Sequence, residues 1–387
     1  MKPAEQNYSP LYYLAALGNG GLAVSFFIYM MFLLPHPGTP MPVFADWSRA
    51  LMEGSLAHRA LVVFSLSGVV WFSIGHIRSL IWNTKQYLKF KKSGGLESMM
   101  DSAAEVQLMA LPLTYAMTIN VGFVLGALFV PGLWTIVEYL FPMALIGFAV
   151  VAYFAIKIYT HYFANLVQKG HQNWTSNNNL SQLLAIFAFS MVAVGFAAPA
   201  AMSHIKVTAL IAMICSIFFL SVVAILGLLK LVFGFRDILE RGVSTEGAPS
   251  LWILIPVLTV CGIAIVRLSH GYDYLFDLSP SKGSNFVFIV VFFSIQLFIG
   301  LIGYRVMKAN NYFADFIKGD KLSSGSYALI CPGVALMVFG MFFIHVGLVK
   351  NGLVAPLSPV HFIMILPLMA VQFKTIKVMK TLDKKHF

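Results

Sequence analysis

Charge is scarce in this chain: only 11% of its 387 residues are Asp, Glu, Lys or Arg, and just 15 are acidic. Soluble domains carry about 25% charged residues, so a water-facing shell around a globule of this size is excluded. Cysteine is nearly missing as well. Cys215, Cys261 and Cys331 all fall inside apolar runs without CxxC or ligand-type spacing, which argues against a zinc site and against a disulfide framework. No HExxH, GxSxG, P-loop or pair of mid-span aspartates is present, so the common hydrolase and nucleotide motifs lend no support to an enzyme. The first ten residues lack the basic, apolar and small-residue succession of a secretory signal, and no cleavage is expected.

Long hydrophobic runs are what the chain has instead. Hydrophobic residues make up 59%, with 34 Phe and 19 Met, and the mean hydropathy is +0.82. A helix crosses about 30 Å of hydrocarbon with about 20 apolar residues. Ten stretches qualify, near Leu11–Leu34, Ala60–Trp82, Val106–Val130, Trp134–Tyr159, Leu180–Pro199, Val207–Phe235, Ser250–Leu268, Asn285–Val306, Tyr327–Val349 and Val360–Val378. Runs this long and continuous are helices rather than barrel strands, because lipid leaves no partner for open backbone groups. The predicted fold class is an all-α integral membrane protein.

The formal charge of +11 reads first as topology and not as a nucleic-acid patch. An even number of spans puts both termini on one side, which collects 20 of the 26 basic residues. Among them are the 78–92 cluster, Lys157, Lys230, Arg236, Arg305 and the tail at 379–387. Arg49, Arg59, Lys206, Arg267, Lys282 and Lys350 fall on the other side. By the positive-inside rule both termini are cytoplasmic, with anionic lipid head groups as neighbours. The Asn7 and Asn173 glycosylation triplets then face the cytoplasm and stay unmodified. The segment 35–57, with four prolines, becomes the longest external loop, either a stiff cap near a pore mouth or a spacer.

Even-numbered spans run on into amphipathic basic tails with aromatics, and Tyr87, Tyr162, Phe235 and Tyr312 lie 75, 73 and 77 residues apart. This spacing predicts a single domain of five helical hairpins around a quasi-fivefold central pathway. An odd number of like hairpins argues against inverted-repeat transporters. Breakers and polar side chains gather in the odd spans: Gly18-Asn19-Gly20-Gly21, Pro112 with Thr114, Thr118 and Asn120, Asn177-Asn178-Asn179 with Ser181-Gln182, Pro256 with Thr259 and Cys261, and Cys331-Pro332-Gly333. Proline bends are tolerated in a membrane only where they face protein or water, so odd helices are expected inside and even helices against lipid. Such residues also serve plain helix packing. Their presence in all five odd spans, with Glu105 and Glu138 near span ends and no mid-span carboxylate, favours a pathway for small anions over one for cations or protons. Gly18, Asn19, Thr118, Asn120, Ser181, Gln182, Thr259, Cys261 and Cys331 are the expected lining, and Phe123, Phe189, Leu329 and Phe339 the candidates for the constriction.

Ten spans in pairs, bends in the odd ones, Leu111-Pro112-Leu113-Thr114 opening the third and Phe342-Phe343-Ile344-His345 closing the ninth together resemble the tellurite-resistance/dicarboxylate transporter and slow-type anion channel superfamily over nearly the whole chain. Leu17 to Leu22, Pro112 to Asn120, Pro131-Gly132-Leu133-Trp134, Asn177 to Gln182 and Gly195 to Pro199 are most similar to its bacterial TsoY-type (seleno)protein family. The resemblance implies a central pore in each protomer of a trimer in a bacterial inner membrane, closed by a phenylalanine on the ninth helix. Here Leu329 or Cys331 stands at that place, which departs from the pattern. Selenoprotein kinship makes Cys261 and Cys331 candidate redox thiols, although a free Cys in a membrane helix is usually a small buried hydrophobe. The alternative function is a membrane redox protein, using those thiols or a haem or quinone held by His76, His161 and His345. His76 with Arg78 reads more simply as an interfacial pair. No cofactor or metal is expected.

Overall fold

In the computed structural model the described residues are 8–100, 102–169, 180–278 and 281–387. Asn7, the Asn173 triplet and Asn177–Asn179 therefore lie outside them. Every regular element among the described residues is helical. Ten helices are long and apolar enough to cross a membrane: α1 Pro10–Leu33, α2 Leu56–Lys92, α3 Ala103–Phe129, α4 Leu133–Gln168, α5 Leu183–Met202, α6 Lys206–Arg241, α7 Ala248–Phe276, α8 Gly283–Ala309, α9 Ser324–Val349 and α10 Pro359–His386. This is the transmembrane all-α class that the apolar runs predict. Several helices outrun their apolar cores, because amphipathic tails such as Lys85 to Lys92 continue the same backbone hydrogen bonds. Likewise the 379–387 tail is the last turns of α10, with Met379 and Leu382 buried. Its Lys385 donates to the carbonyls of Phe316 (2.8 Å) and Gly319 (2.6 Å), closing the carbonyl end of the π-helical turn Phe313–Lys318.

Burial separates the two sets of helices. The most apolar window of the odd-numbered helices is 56–94% buried, and that of the even-numbered ones 17–39%. Composition explains the difference. Helix α5 is largely Ala, Gly, Ser, Phe and Met and packs on every side, whereas α8 turns Val287, Val291, Phe298 and Leu301 outward. In lipid, close approach of backbones through small residues takes over from hydrophobic burial as the packing rule. Each odd helix packs on the even helix that follows it. Helix α1 also packs on α3, α3 on α5, α5 on α7, α7 on α9 and α9 on α1. The glycines of α1 permit two of these contacts: a Cβ at Gly18 would lie 2.8 Å from Ile330, and one at Gly20 2.6 Å from Met117.

A second regularity sits at the helix starts. Helices α1, α3, α7 and α9 each begin with a 3₁₀ turn (Pro10–Tyr12, Ala103–Met109, Ala248–Trp252, Ser324–Leu329). In three of them a serine oxygen accepts from the N–H two residues on: Ser9 from Leu11, Ser102 from Ala104 and Ser323 from Gly325, each at 3.2 Å. Helix α5 is preceded by the same i to i+3 bonding, Leu183 N–H to Leu180 and Leu184 N–H to Ser181. Even helices α2, α8 and α10 start differently, with Ser55, Ser281 and Ser358 accepting from the N–H three residues on, the ordinary α-helical cap. The tight starts are tied to one another. Ser9 Oγ donates to Gln107 (2.9 Å), Leu180 N–H to Ser250 (2.8 Å) and Ser323 Oγ to Glu246 (2.8 Å). Tyr12 meets His386 and Phe387 at the same end, which is called the terminal face below; the opposite end is the distal face.

The 35–57 segment is not a plain loop. Residues Phe44–Glu53 form a helix, and Trp47 Nε1 donates to the Leu128 carbonyl at 2.7 Å, which pins the segment over the distal end of α3.

Candidate functional site

A cavity of about 510 Å³ runs between the odd helices, with further wall from α4 and from Pro40 and Met41. Its deepest residues are Leu17, Met117, Phe187, Pro256 and Cys331, one from each odd helix, and its other end reaches Phe32, Met202, His270 and Lys350. On α9 the stretch from Cys331 to Lys350 corresponds to a depth of about 28 Å at 1.5 Å per residue. The terminal side is filled by the 3₁₀ turns and the buried side chains of Tyr13, Met109, Leu113, Leu183 and Tyr327.

Most of the wall is Met, Phe, Val and Ala, and among the described residues it contains no Asp or Glu. Three basic side chains lie on it: Arg267, His270 and Lys350. Arg267 Nη1 donates to the Val194 carbonyl at 3.1 Å, and among the described residues no carboxylate lies within ion-pair distance of its guanidinium. A guanidinium has five N–H donors, so most of its capacity is unspent. A cation in a low-dielectric recess without a counter-charge creates a positive potential that water screens poorly. The neutral polar wall is thin. Thr259 Oγ1 donates to the Ala335 carbonyl (3.2 Å) and accepts from Gln296 (3.1 Å), so its proton is already used. Asn120 makes only a soft contact to the Met191 sulfur at 3.6 Å and keeps its amide available.

Of the residues expected to line a pathway, Gly18, Asn120, Thr259, Cys331 and Phe123 are on this wall. The others have different partners. Asn19 donates back to the Ala15 carbonyl at 3.0 Å. Thr118 donates to the Thr114 carbonyl and meets His76 Nε2. Ser181 belongs to the tight turn before α5, and Gln182 accepts from Lys230 at 2.8 Å. Cys261 is buried in the packed core away from Cys331's wall position. Phe189 packs between Tyr159 and Phe219, Phe339 against Gly262 and Phe292, and Leu329 in a small cluster with Tyr312 and Phe316. These side chains are engaged by their own helix turn or by a neighbouring helix, which helical spacing alone does not reveal. The aromatic that α9 gives the wall is Phe342.

Three positions differ from the sequence reading or were not part of it. Arg267 counted as a charge of the distal face, at the very end of a span drawn to Leu268, yet α7 continues to Phe276. His76 is fully buried and not interfacial, its Nδ1 on the Ala16 carbonyl at 2.8 Å. His361 pairs with His345, Nε2 to Nε2, at 2.9 Å. The Leu357 N–H donates to His361 Nδ1 (2.9 Å) and His345 Nδ1 reaches the Met341 carbonyl (2.8 Å). That chain fixes the tautomers: His361 carries its proton on Nε2 and donates it to His345 Nε2, and His345 donates from Nδ1. Phe32 stacks on His345 at 4.4 Å. His361→Ala orphans both the Leu357 N–H and His345 Nε2, so a loss of about 2 kcal/mol is expected. The melting curve of the purified protein checks this, and an unchanged midpoint removes the pair from the stabilising contacts. His161 is engaged elsewhere, 2.6 Å from buried Glu105.

No protein-family model matches the chain, and no curated protein matches it.

Proposed function

We propose that this protein passes small anions across a membrane through a pathway between its five odd-numbered helices, arranged as five hairpins with quasi-fivefold order. One observation carries the reading: the cavity takes wall residues from all five odd helices and, among the described residues, holds an Arg without a carboxylate partner and has no acidic residue on its wall. Permeation needs an ion to enter and also to leave, and a single cation in an otherwise weakly binding wall satisfies both conditions. Positive charge at the two ends differs in kind. Lys and Arg crowd the terminal face in sequence and serve orientation, with the termini cytoplasmic in a bacterial inner membrane. Arg267 and Lys350 would draw anions in from the distal side. A closed terminal side and an open distal cavity correspond to a resting state, with Phe123 and Phe342 as the wall aromatics able to narrow the path. The TsoY-type and slow-anion-channel resemblance supports the same reading and adds a trimer as the expected assembly, with neither catalysis nor a cofactor.

The test is flux from liposomes loaded with chloride, nitrate, sulfate or a dicarboxylate, with potassium and proton flux in parallel and empty liposomes as control. Selective anion flux that falls to background in Asn120→Trp, which fills the cavity from α3, is the expected result. Cation flux of equal size, or silence toward every anion from a folded protein, would overturn it.

A further inference from the structure

We infer that the central cavity receives an organic monoanion with an apolar body, such as a short-chain carboxylate, in preference to a bare inorganic ion. This rests on the anion reading above and narrows it to a substrate class. A halide or oxyanion leaving water must be re-coordinated all round. The wall offers the Arg267 guanidinium and the Asn120 amide, while the Thr259 proton is committed to Ala335. The rest of the deep half is mainly apolar, with Met117, Met191, Phe148, Phe187 and Val334 on its wall beside Leu17, Gly18, Pro256 and Cys331. Those side chains compensate no lost hydration, yet they are good company for a hydrocarbon body. A volume of about 510 Å³ with an apolar wall and few polar groups is the usual build of a small-molecule site. The charge count sets the valence. One guanidinium lies among the apolar residues, and Lys350 stands at the distal end, so a second carboxylate driven deeper would face methionine and phenylalanine. The head group therefore sits on Arg267 and the body points toward Cys331 and Phe187.

The experiment titrates the purified full-length protein with butanoate, hexanoate and octanoate by calorimetry, with pentyltrimethylammonium as a probe of the same tail as hexanoate and opposite head. Affinity is expected to rise about fourfold per methylene and to stop rising once the chain fills the cavity. The ammonium compound should not bind. Arg267→Gln should weaken hexanoate at least tenfold, and Ala198→Trp, which puts a bulky ring on the cavity wall, should abolish binding at an unchanged melting temperature. An affinity that climbs without a plateau and is equal in both variants marks partition into detergent and overturns the inference. Chloride or nitrate flux through a protein that binds no carboxylate also overturns it, while leaving the anion pathway standing. Carboxylate binding and movement without inorganic flux upholds it. Neither binding nor any anion flux sinks both.

Discussion

Arg267→Gln is expected to cut anion flux by about 30- to 150-fold while leaving the protein folded. The guanidinium is the one wall cation set among apolar side chains, and its described contact is a single hydrogen bond from Nη1 to the Val194 carbonyl. An anion passing it exchanges water for a charge-assisted, two-donor contact. Removing the charged partner of such a contact in a desolvated site costs about 2–3 kcal/mol, the stated factor in rate or affinity. The structural cost is smaller. One neutral hydrogen bond is worth about 1 kcal/mol, and the glutamine amide can still reach a carbonyl. Arg267→Lys keeps the charge but loses the forked geometry, so its flux should fall between the two. Salt sharpens the test, because a charge inside the cavity is screened much less than one on the surface. The deficit of the Gln variant should persist at high ionic strength, whereas a deficit from removing Lys350 at the exposed end should fade. Wild-type flux in Arg267→Gln, beside blocked flux in Asn120→Trp, would show that ions bypass the guanidinium.

The fold class was legible because lipid restricts the answer so strongly: ten apolar runs of the right length leave only helices. Which helices are buried was legible as well, since Gly, Pro, Ser and Asn concentrate in the odd spans and bulky aliphatics in the even ones. Individual side-chain facing was not. A polar residue in a membrane helix satisfies its hydrogen bonds wherever it can, and Asn19, Thr118 and Gln182 found a carbonyl or a lysine on a neighbouring turn or helix. Arg267 was hidden by the opposite effect. Hydropathy ends a span at its first cluster of polar residues, and the turn after Leu268 carries Ser269, His270 and Asp273, although the helix itself continues. The repeated tight starts were written in the sequence as Ser9, Ser102 and Ser323 placed one turn before odd spans. Serine is too common for the spacing to stand out until the matching 3.2 Å caps are seen together.

Gly68→Ala is expected to destabilise the protein by about 3 kcal/mol, because the added methyl would overlap the Phe26 ring. Overpacking is tolerated where the opposing group can swing aside, and here it cannot. Phe26 is stacked on Phe72 at 5.7 Å and flanked by Phe64 at 5.1 Å and Tyr29. Tyr29 is in turn held by its hydroxyl to Gln372 at 2.7 Å, whose amide donates to Ser25 at 2.7 Å. Retreat of the ring would break the link between α1 and α10, so α1 and α2 must part instead. That strain is transmitted to the cavity, because the same helix supplies Gly18, Gly21 and Val24 to its wall. The double variant with Phe26→Ala separates the cause from a general intolerance of change. Each single substitution is costly, one by overlap and the other by the void it leaves. Together they should be about 2 kcal/mol better than the sum of the two, read from thermal or denaturant unfolding of the purified protein. Gly122→Ala on α3 is the control. Nothing stands within 4 Å of its added carbon, so helix propensity alone applies and stability should hold or rise by up to ~1 kcal/mol. A neutral Gly68→Ala, or strict additivity with Phe26→Ala, would mean that the close contact between α1 and α2 is not what sets the position of the cavity's first wall.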